Sequence, residues 1–260
     1  MLYDKKGMTR MQAPQAATYT EKQIIAYYEC DANNKIKISN IMRRAQQLCA
    51  MQMNYLQLEY EKLLESNMVF LLSKIGIIIY EMPYGNQRVT ASTTPIGTEK
   101  AIFIRETNFE DENGKPLITI QTDWLLADPA TRRIIRPQSF FEKYSMPIGE
   151  RKYQNNICAQ KYIRPPHFDA SYKKEVKYSD IDCNQHLNNA VYGDIVCDSL
   201  PHEHIFKKQL NTLFISFKNE ARLGETIEIS VAKTAQDTFF IAGEHGAKEC
   251  FIAQAVFKSN

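Results

Sequence analysis

The most informative stretch of the chain is Tyr178-Ser179-Asp180-Ile181-Asp182-Cys183-Asn184-Gln185-His186-Leu187-Asn188-Asn189. Its central letters, Asp182-x-Asn184-x-His186, have a counterpart 151 residues earlier in Asp31-x-Asn33-x-Lys35. Each copy stands before a helical pattern that is followed by a run of strand patterns. Because self-similarity at a fixed spacing is the signature of a repeat, the sequence predicts an internal duplication.

The two halves have the same order of predicted elements. In the first half, apolar spacing predicts a helix from Ser39, its N-cap, to about Ser66, or two helices with a bend. Alternating and β-branched runs then predict strands over 69–80, 87–94, 101–110 and 117–127. In the second half, a strand over 175–178 and a helix over 188–200 come before strands over 210–218, 225–233, 238–242 and 250–258.

A helix followed by antiparallel strands is the layout of a sheet wrapped around one central helix. Two such units can complete each other's sheet edges, which removes the exposed edges that each unit would carry alone. The sequence therefore predicts an α+β fold with two copies, over 15–140 and 160–260. Proline and glycine punctuate the segment between Arg136 and Pro166, so residues 141–159 are predicted to be a linker.

Composition excludes several classes of protein. The chain has 260 residues, 44% of them hydrophobic, and a formal net charge of +2, which gives no electrostatic case for a dedicated nucleic-acid binder. The six cysteines are scattered, which is typical of reduced thiols. Residues Met1 to Thr20 contain no apolar run of a secretory signal, and the most apolar stretch, Met68 to Tyr80, is too short for a membrane span. We expect a soluble cytoplasmic protein.

Asp182, Asn184 and His186 form the densest chemical cluster in the sequence. Side chains alternate in an extended segment, so these three would face one cavity just before a helix N-terminus. Backbone N–H groups at such an N-terminus can stabilise negative charge that develops on a carbonyl oxygen. The alternative is that Asp182 and Asn184 are turn and capping residues. His186, one of five histidines, would point to the same side of an extended segment as Asp182 and Asn184, which favours a functional site.

These residues resemble the motif of the acyl–acyl carrier protein (acyl-ACP) thioesterases, enzymes of the hot-dog superfamily. The matching segments are Trp124, Thr131-Arg132-Arg133, Asp182-x-Asn184-x-His186-Leu187-x-Asn189 with Tyr192, and Phe217-Lys218-Asn219-Glu220. The resemblance covers essentially the whole chain and implies a tandem hot-dog fold. It implies hydrolysis of the thioester that joins a fatty acyl chain to the phosphopantetheine arm of acyl carrier protein. No cofactor or metal is expected.

The resemblance also implies a role for each residue of the site. Glu220 would be the general base that activates water, Asn184 and His186 would position the water and stabilise the oxyanion or the leaving thiolate, and Asp182 would orient its neighbours. A thioester is a reactive acyl donor, so these groups suffice without a serine nucleophile. Plant members often carry a cysteine after the glutamate, whereas Ala221 stands here, which favours the water route. Without the resemblance, Glu220 at a strand end would be interpreted as a solvated side chain.

The first copy has Lys35 where the second has His186, which predicts that the first copy lacks a working site and shapes the acyl pocket instead. Methionines and a leucine in the first helical stretch are either plain core or part of that pocket: Met42, Met51, Met53 and Leu56. Arg132 and Arg133 are either a solvated edge or a contact for the acidic carrier protein.

Three alternatives stay open at this point. The chain could hydrolyse acyl-coenzyme A on the same fold, or it could be an acyl-binding or regulatory module without turnover. A hot-dog hydratase ranks lower because Glu220 has no role in it. His202-Glu203-His204 is predicted to be a surface loop rather than a metal site. The sequence leaves open the acyl chain length and whether the chain forms a homodimer.

Overall fold

The computed structural model describes residues 17–259. The prediction for residues 1–20 therefore lies almost wholly outside the described part of the chain. The first half contains β1 (Tyr19–Ile24), α1 (Ile38–Tyr55), α2 (Tyr60–Glu65), β2 (Val69–Ile79), β3 (Arg88–Glu99), β4 (Ile102–Glu110), β5 (Pro116–Ala127), β6 (Ile134–Ile135) and α3 (Pro137–Phe141). The second half contains β7 (Ala170–Glu175), α4 (Val191–Ser199), α5 (His202–Lys207), β8 (Leu210–Phe217), β9 (Thr226–Ala235), β10 (Thr238–His245) and β11 (Lys248–Phe257).

All these strands belong to one antiparallel sheet. Its order is β1-β3-β4-β5-β2-β8-β11-β10-β9-β7, and the short β6 pairs with β5. The order read outward from the centre is the same in both halves, since β2-β5-β4-β3-β1 corresponds to β8-β11-β10-β9-β7. The halves join where β2 pairs with β8, from Lys74 opposite Ser216 to Ile78 opposite Thr212. The α+β prediction is confirmed, and each half uses the other to cover one sheet edge.

The main core lies between one face of the sheet and the two helices α1 and α4. Ile41 and Leu48 of α1 and Ile195 of α4 are buried there with the inward side chains of both halves. Gly193 allows the helices to approach closely, because a Cβ at this position would lie 3.0 Å from the Met42 sulfur. The two helices therefore share one core rather than two separate ones.

Residues 155–162 of the segment between Arg136 and Pro166 are packed against the opposite face of the sheet, whereas Phe140 and Met146 pack with Phe103 and Leu126. The Asn155 side-chain amide donates a hydrogen bond to the Gly76 carbonyl at 3.0 Å, and the Lys74 ammonium donates to the Cys158 carbonyl at 3.1 Å. The Tyr162 ring stacks on Phe214 of β8 with centroids 3.7 Å apart. This segment thus crosses the strands at which the two halves meet.

Several boundaries differ from the sequence predictions. Ser39 is not the N-cap: Lys37 precedes the helix, and the Ser39 hydroxyl accepts a hydrogen bond from Arg43 within the first turn. The strand predicted over 175–178 lies over Ala170–Glu175, and Tyr178–Asp180 forms a short 3-10 helix.

Residues 202–204 are predicted to be a surface loop; His202 and Glu203 are exposed, but the loop assignment is wrong. These residues begin α5, and His204 is buried with its Nε2 3.5 Å from an Asp237 carboxylate oxygen. Asp237 also accepts a 2.5 Å hydrogen bond from Lys208, so this histidine belongs to a buried polar cluster. Within residues 17–259, no helix combines the length and apolar character that a membrane crossing requires.

Candidate functional site

The loop that carries Asp182, Asn184 and His186 is a tight turn. The Asp182 backbone N–H donates to the His186 carbonyl at 3.0 Å, and the Asp182 carboxylate accepts from the Asn184 backbone N–H at 2.9 Å. Gln185 adopts a left-handed conformation with φ of 62°. The prediction of an extended segment is therefore wrong, because the aspartate binds its own backbone and closes the turn. Asp182 thus closes the loop through hydrogen bonds with its own backbone neighbours.

The corresponding loop of the first half has the same hydrogen bonds. The Asp31 backbone N–H donates to the Lys35 carbonyl at 2.7 Å, and the Asp31 carboxylate accepts from the Asn33 backbone N–H at 2.8 Å. Asn34 has φ of 56° where the second half has Gln185. Every partner is shifted by the same 151 residues, so the two sequence motifs fold alike.

A backbone hydrogen bond fixes the distance between each loop and the segment that follows the central strand of its half. Leu187 N–H donates to the Ala221 carbonyl at 2.8 Å, and Ile36 N–H donates to the Pro83 carbonyl at 2.9 Å. The residue before Ala221 is Glu220, whereas the residue before Pro83 is Met82. The second half thus places a carboxylate beside its histidine, and the first half places a thioether at the corresponding position.

His186 and Glu220 are in direct contact. The His186 Nε2 lies 3.3 Å from a Glu220 carboxylate oxygen, and the same oxygen lies 3.8 Å from the Arg132 guanidinium. Glu220 is 42% exposed, so a water molecule can reach the carboxylate. Arg132 belongs to the turn after β5 in the first half, which the sequence analysis linked only to a solvated edge or to the carrier protein. Residues from both halves therefore meet at this pair.

Asp182 and Asn184 do not join that pair through hydrogen bonds within residues 17–259. The Asn184 side-chain oxygen instead accepts a 3.5 Å hydrogen bond from the Tyr60 hydroxyl. Tyr60 begins α2 in the first half. The structure therefore brings together two of the four predicted site residues, and it places a third against a residue that the sequence analysis did not select.

A cavity of about 250 Å³ lies in the first half, and Tyr60 forms part of its wall. Most of its lining is apolar and includes Met53, Leu58, Leu63, Met68, Phe103 and Met146. Tyr60 therefore both lines this cavity and contacts the loop that carries His186. Of the four residues given the alternatives of core or pocket, Met53 lines this cavity, Met42 and Leu56 are buried, and Met51 is partly exposed.

Tyr192, which the family motif includes, has a structural role. Tyr192 is buried with its ring in edge contact with Phe217 at 5.3 Å and Phe251 at 5.0 Å. Burial raises the pKa of Tyr192, which keeps its hydroxyl neutral.

Cys183 is exposed on the loop, whereas burial raises the pKa of the Cys250 thiol. Within residues 17–259, no cluster of three histidine, cysteine, aspartate or glutamate side chains is placed to hold a metal ion.

Sequence reasoning missed Tyr60 and Arg105, which also lines the cavity. The strand pattern could have identified Arg105, because it lies on the same face of a predicted strand as Phe103, Thr107 and Phe109. No local pattern marks Tyr60, whose contact with Asn184 joins residues 124 positions apart.

Comparisons with known proteins match both halves of the chain. The model of the acyl-ACP thioesterase N-terminal domain matches residues 16–146, and that of the C-terminal domain matches residues 166–253. A chloroplastic oleoyl-acyl carrier protein thioesterase from Coriandrum sativum is 20% identical over 230 residues, which are 81% of this chain and 61% of the coriander protein. The chain thus spans less than two thirds of that relative.

Two solved structures share the fold at low sequence identity. An acyl-ACP thioesterase from Bacteroides thetaiotaomicron is 18% identical with a TM-score of 0.80, over 93% of this chain and 98% of that one. The 12:0-ACP thioesterase from Umbellularia californica is 12% identical with a TM-score of 0.82, over 96% and 100%. With family models that match most of its length, this chain belongs to the acyl-ACP thioesterase family.

Proposed function

We propose that this chain hydrolyses the thioester of fatty acyl-ACP and releases the free fatty acid. The observation that carries the proposal is the contact of His186 with Glu220 at 3.3 Å. Tyr60, which contacts Asn184 of the same loop, lines an apolar cavity. A partly exposed carboxylate can hold a water molecule, and the cavity offers the acyl chain an apolar environment.

In the proposed reaction, the Glu220 carboxylate takes a proton from water while the water oxygen attacks the thioester carbon. The tetrahedral intermediate then collapses, the carbon–sulfur bond breaks, and the thiolate receives the proton that Glu220 holds. The His186 Nε2, 3.3 Å from one Glu220 carboxylate oxygen, holds the carboxylate in position for the water. The Asn184 side chain supplies a donor for the oxyanion, and Asp182 keeps the loop closed around it.

We further propose that each half is one hot-dog unit of a tandem pair, over 15–140 and 160–260, with 141–159 as the connection. The matching order of strands and the matching loop hydrogen bonds support this division. The first unit lacks a working site, because Lys35 and Met82 offer no acid–base pair: the Lys35 ammonium lies 3.4 Å from the Met82 carbonyl. Its role is to form the acyl pocket.

Acyl carrier protein is the proposed partner, and the exposed charge of Arg132 supports this proposal. The Arg132 side chain is 75% exposed beside Glu220, where it can attract an acidic surface toward the site. The cytoplasmic location is a prediction that cell fractionation tests. A homodimer is a further possibility, and light scattering distinguishes it from a monomer.

The rate of thiol release from acyl-ACP and acyl-coenzyme A of equal chain length tests this proposal. We expect faster release from acyl-ACP. Faster release from acyl-coenzyme A would transfer the function to the coenzyme A class of thioesterases. If neither thioester is cleaved while a fatty acid binds in calorimetry, the chain is an acyl-binding module and the proposal fails.

A further inference from the structure

Arg105 introduces a charge into the mostly apolar cavity. It lies on β4 with its side chain on the helix side of the sheet, and it is only 6% exposed. It lines both the 250 Å³ cavity and a smaller pocket beneath α1, and Trp124 is shared between the two. The guanidinium therefore borders the space in which an acyl chain would lie.

This guanidinium has no carboxylate partner within residues 17–259. Its Nη1 donates to the Gln52 side-chain oxygen and to the Thr93 hydroxyl at 3.1 Å, and its Nη2 lies 3.9 Å from the Met53 sulfur. Arg44 shows the usual arrangement, since it forms an ion pair with Glu29 at 2.5 Å. A buried charge without a counter-ion is costly, so a ligand that supplies one would be favoured.

The neutral partners of Arg105 are themselves fixed. The Gln52 amide nitrogen donates to the Ala17 carbonyl, which turns the amide oxygen toward Arg105. The Thr93 hydroxyl also bonds to the Thr107 hydroxyl at 2.9 Å. These contacts occupy the Nη1 side and leave the edge formed by Nε–H and one Nη2–H without a strong acceptor in the described part of the chain. Two parallel donors on one edge match the two oxygens of a carboxylate.

We propose that Arg105 is a specificity residue and that the cavity takes acyl chains whose far end carries a carboxylate. The inference rests on the proposed thioesterase function for its substrate, an ω-carboxyacyl thioester. A chain that enters beside Tyr60 reaches Arg105 within the same cavity, and the apolar walls contact the methylene groups between the two ends. A methyl-ended chain of the same length would leave the guanidinium unpaired.

Binding and turnover test this inference separately. Calorimetry compares the monomethyl ester of a linear dicarboxylic acid with the methyl ester of the monocarboxylic acid of equal chain length. We expect the carboxylate-ended ester to bind roughly tenfold to hundredfold more tightly, as for a buried hydrogen bond to a charged group. Thiol release from ω-carboxyacyl-ACP and acyl-ACP then gives the same comparison as kcat/KM.

Substitution of Arg105 provides the decisive arm. Arg105→Met replaces the charged side chain with an apolar one, so the preference for the carboxylate-ended ester is lost. Arg105→Lys keeps the charge but lacks the two parallel N–H donors, so it retains a reduced preference. Arg88→Met, at an arginine that is 71% exposed, is the matched control and keeps the full preference. Thermal unfolding verifies that each variant is folded.

Equal binding of both esters by the wild type, or an unchanged preference in Arg105→Met, would overturn the inference. If Arg105→Met does not fold, the wild-type preference and the Arg105→Lys variant still decide. If no thioester is cleaved but the binding preference holds and depends on Arg105, the thioesterase proposal fails and the specificity of the cavity stands.

Discussion

The contact between His186 and Glu220 predicts that the two residues act as one catalytic unit. The His186 Nε2 and a Glu220 carboxylate oxygen are 3.3 Å apart. General-base catalysis contributes roughly 10²–10⁴ in rate, so we expect Glu220→Gln and His186→Ala each to lower kcat/KM by about 10³. Once either member is lost, the other has no partner to orient. The double variant should then lose about 10³–10⁴, rather than the 10⁶ of two independent effects.

That shortfall of about 10²–10³ corresponds to a coupling free energy of roughly 3–4 kcal/mol. The assay is steady-state thiol release from acyl-ACP by the wild type, both single variants and the double variant. Binding of substrate should persist in all of them, because neither residue lines the apolar cavity. Glu112→Gln, at a glutamate that is 68% exposed, is the matched control and should keep wild-type rates. If the losses of kcat/KM in the two single variants multiply in the double variant, the two residues act independently and the reasoning is refuted. A near-wild-type kcat/KM in Glu220→Gln would also refute it.

Three further predictions concern burial, packing and the loop thiol. Burial raises the pKa of Asp123, so ionisation of this carboxyl destabilises the folded state at pH 7. Asp123→Asn should therefore raise Tm at pH 7. The increase in Tm should become smaller as the pH falls toward about 4, where the carboxyl is protonated. Gly243→Ala would place a Cβ 2.1 Å from the buried Phe251 ring, so urea titration should show a loss of about 1–3 kcal/mol, and unchanged stability would contradict this packing. Cys183→Ser should keep kcat within about twofold, because in the proposed mechanism water attacks rather than the exposed thiol; a loss above tenfold would implicate the thiol.

The parts of the fold that local chemistry dictates could be predicted from the sequence. The hairpin between β4 and β5 is an example: the Asp111 carboxylate accepts hydrogen bonds from Asn113 and Lys115, and Gly114 has φ of 79°. The two D-x-N loops are another, because an aspartate that bonds its own backbone needs no distant partner. The same hydrogen bonds explain why the prediction of an extended segment was wrong: in a closed turn, alternate residues such as Asp182 and His186 do not point to one side.

The features that the sequence analysis missed depend on contacts between distant residues. His204 was assigned to a surface loop because nothing nearby marks Asp237, 33 residues away, as its partner. The proline-containing segment was interpreted as a linker, although Gly76 leaves room against the strand for Cys158, whose sulfur would lie 3.0 Å from a Cβ there. Glu220 was selected only through the family resemblance, because its contact with His186 forms across the fold.

The most direct test is single-turnover hydrolysis of acyl-ACP in oxygen-18 water with the enzyme in excess. Mass spectrometry then measures the label in the released fatty acid and in the peptide that contains Glu220. Attack by a water molecule that Glu220 activates predicts one heavy oxygen in the fatty acid and none in Glu220. Heavy oxygen in the Glu220 carboxylate would show that this residue attacks the thioester itself, and would contradict its role as a general base.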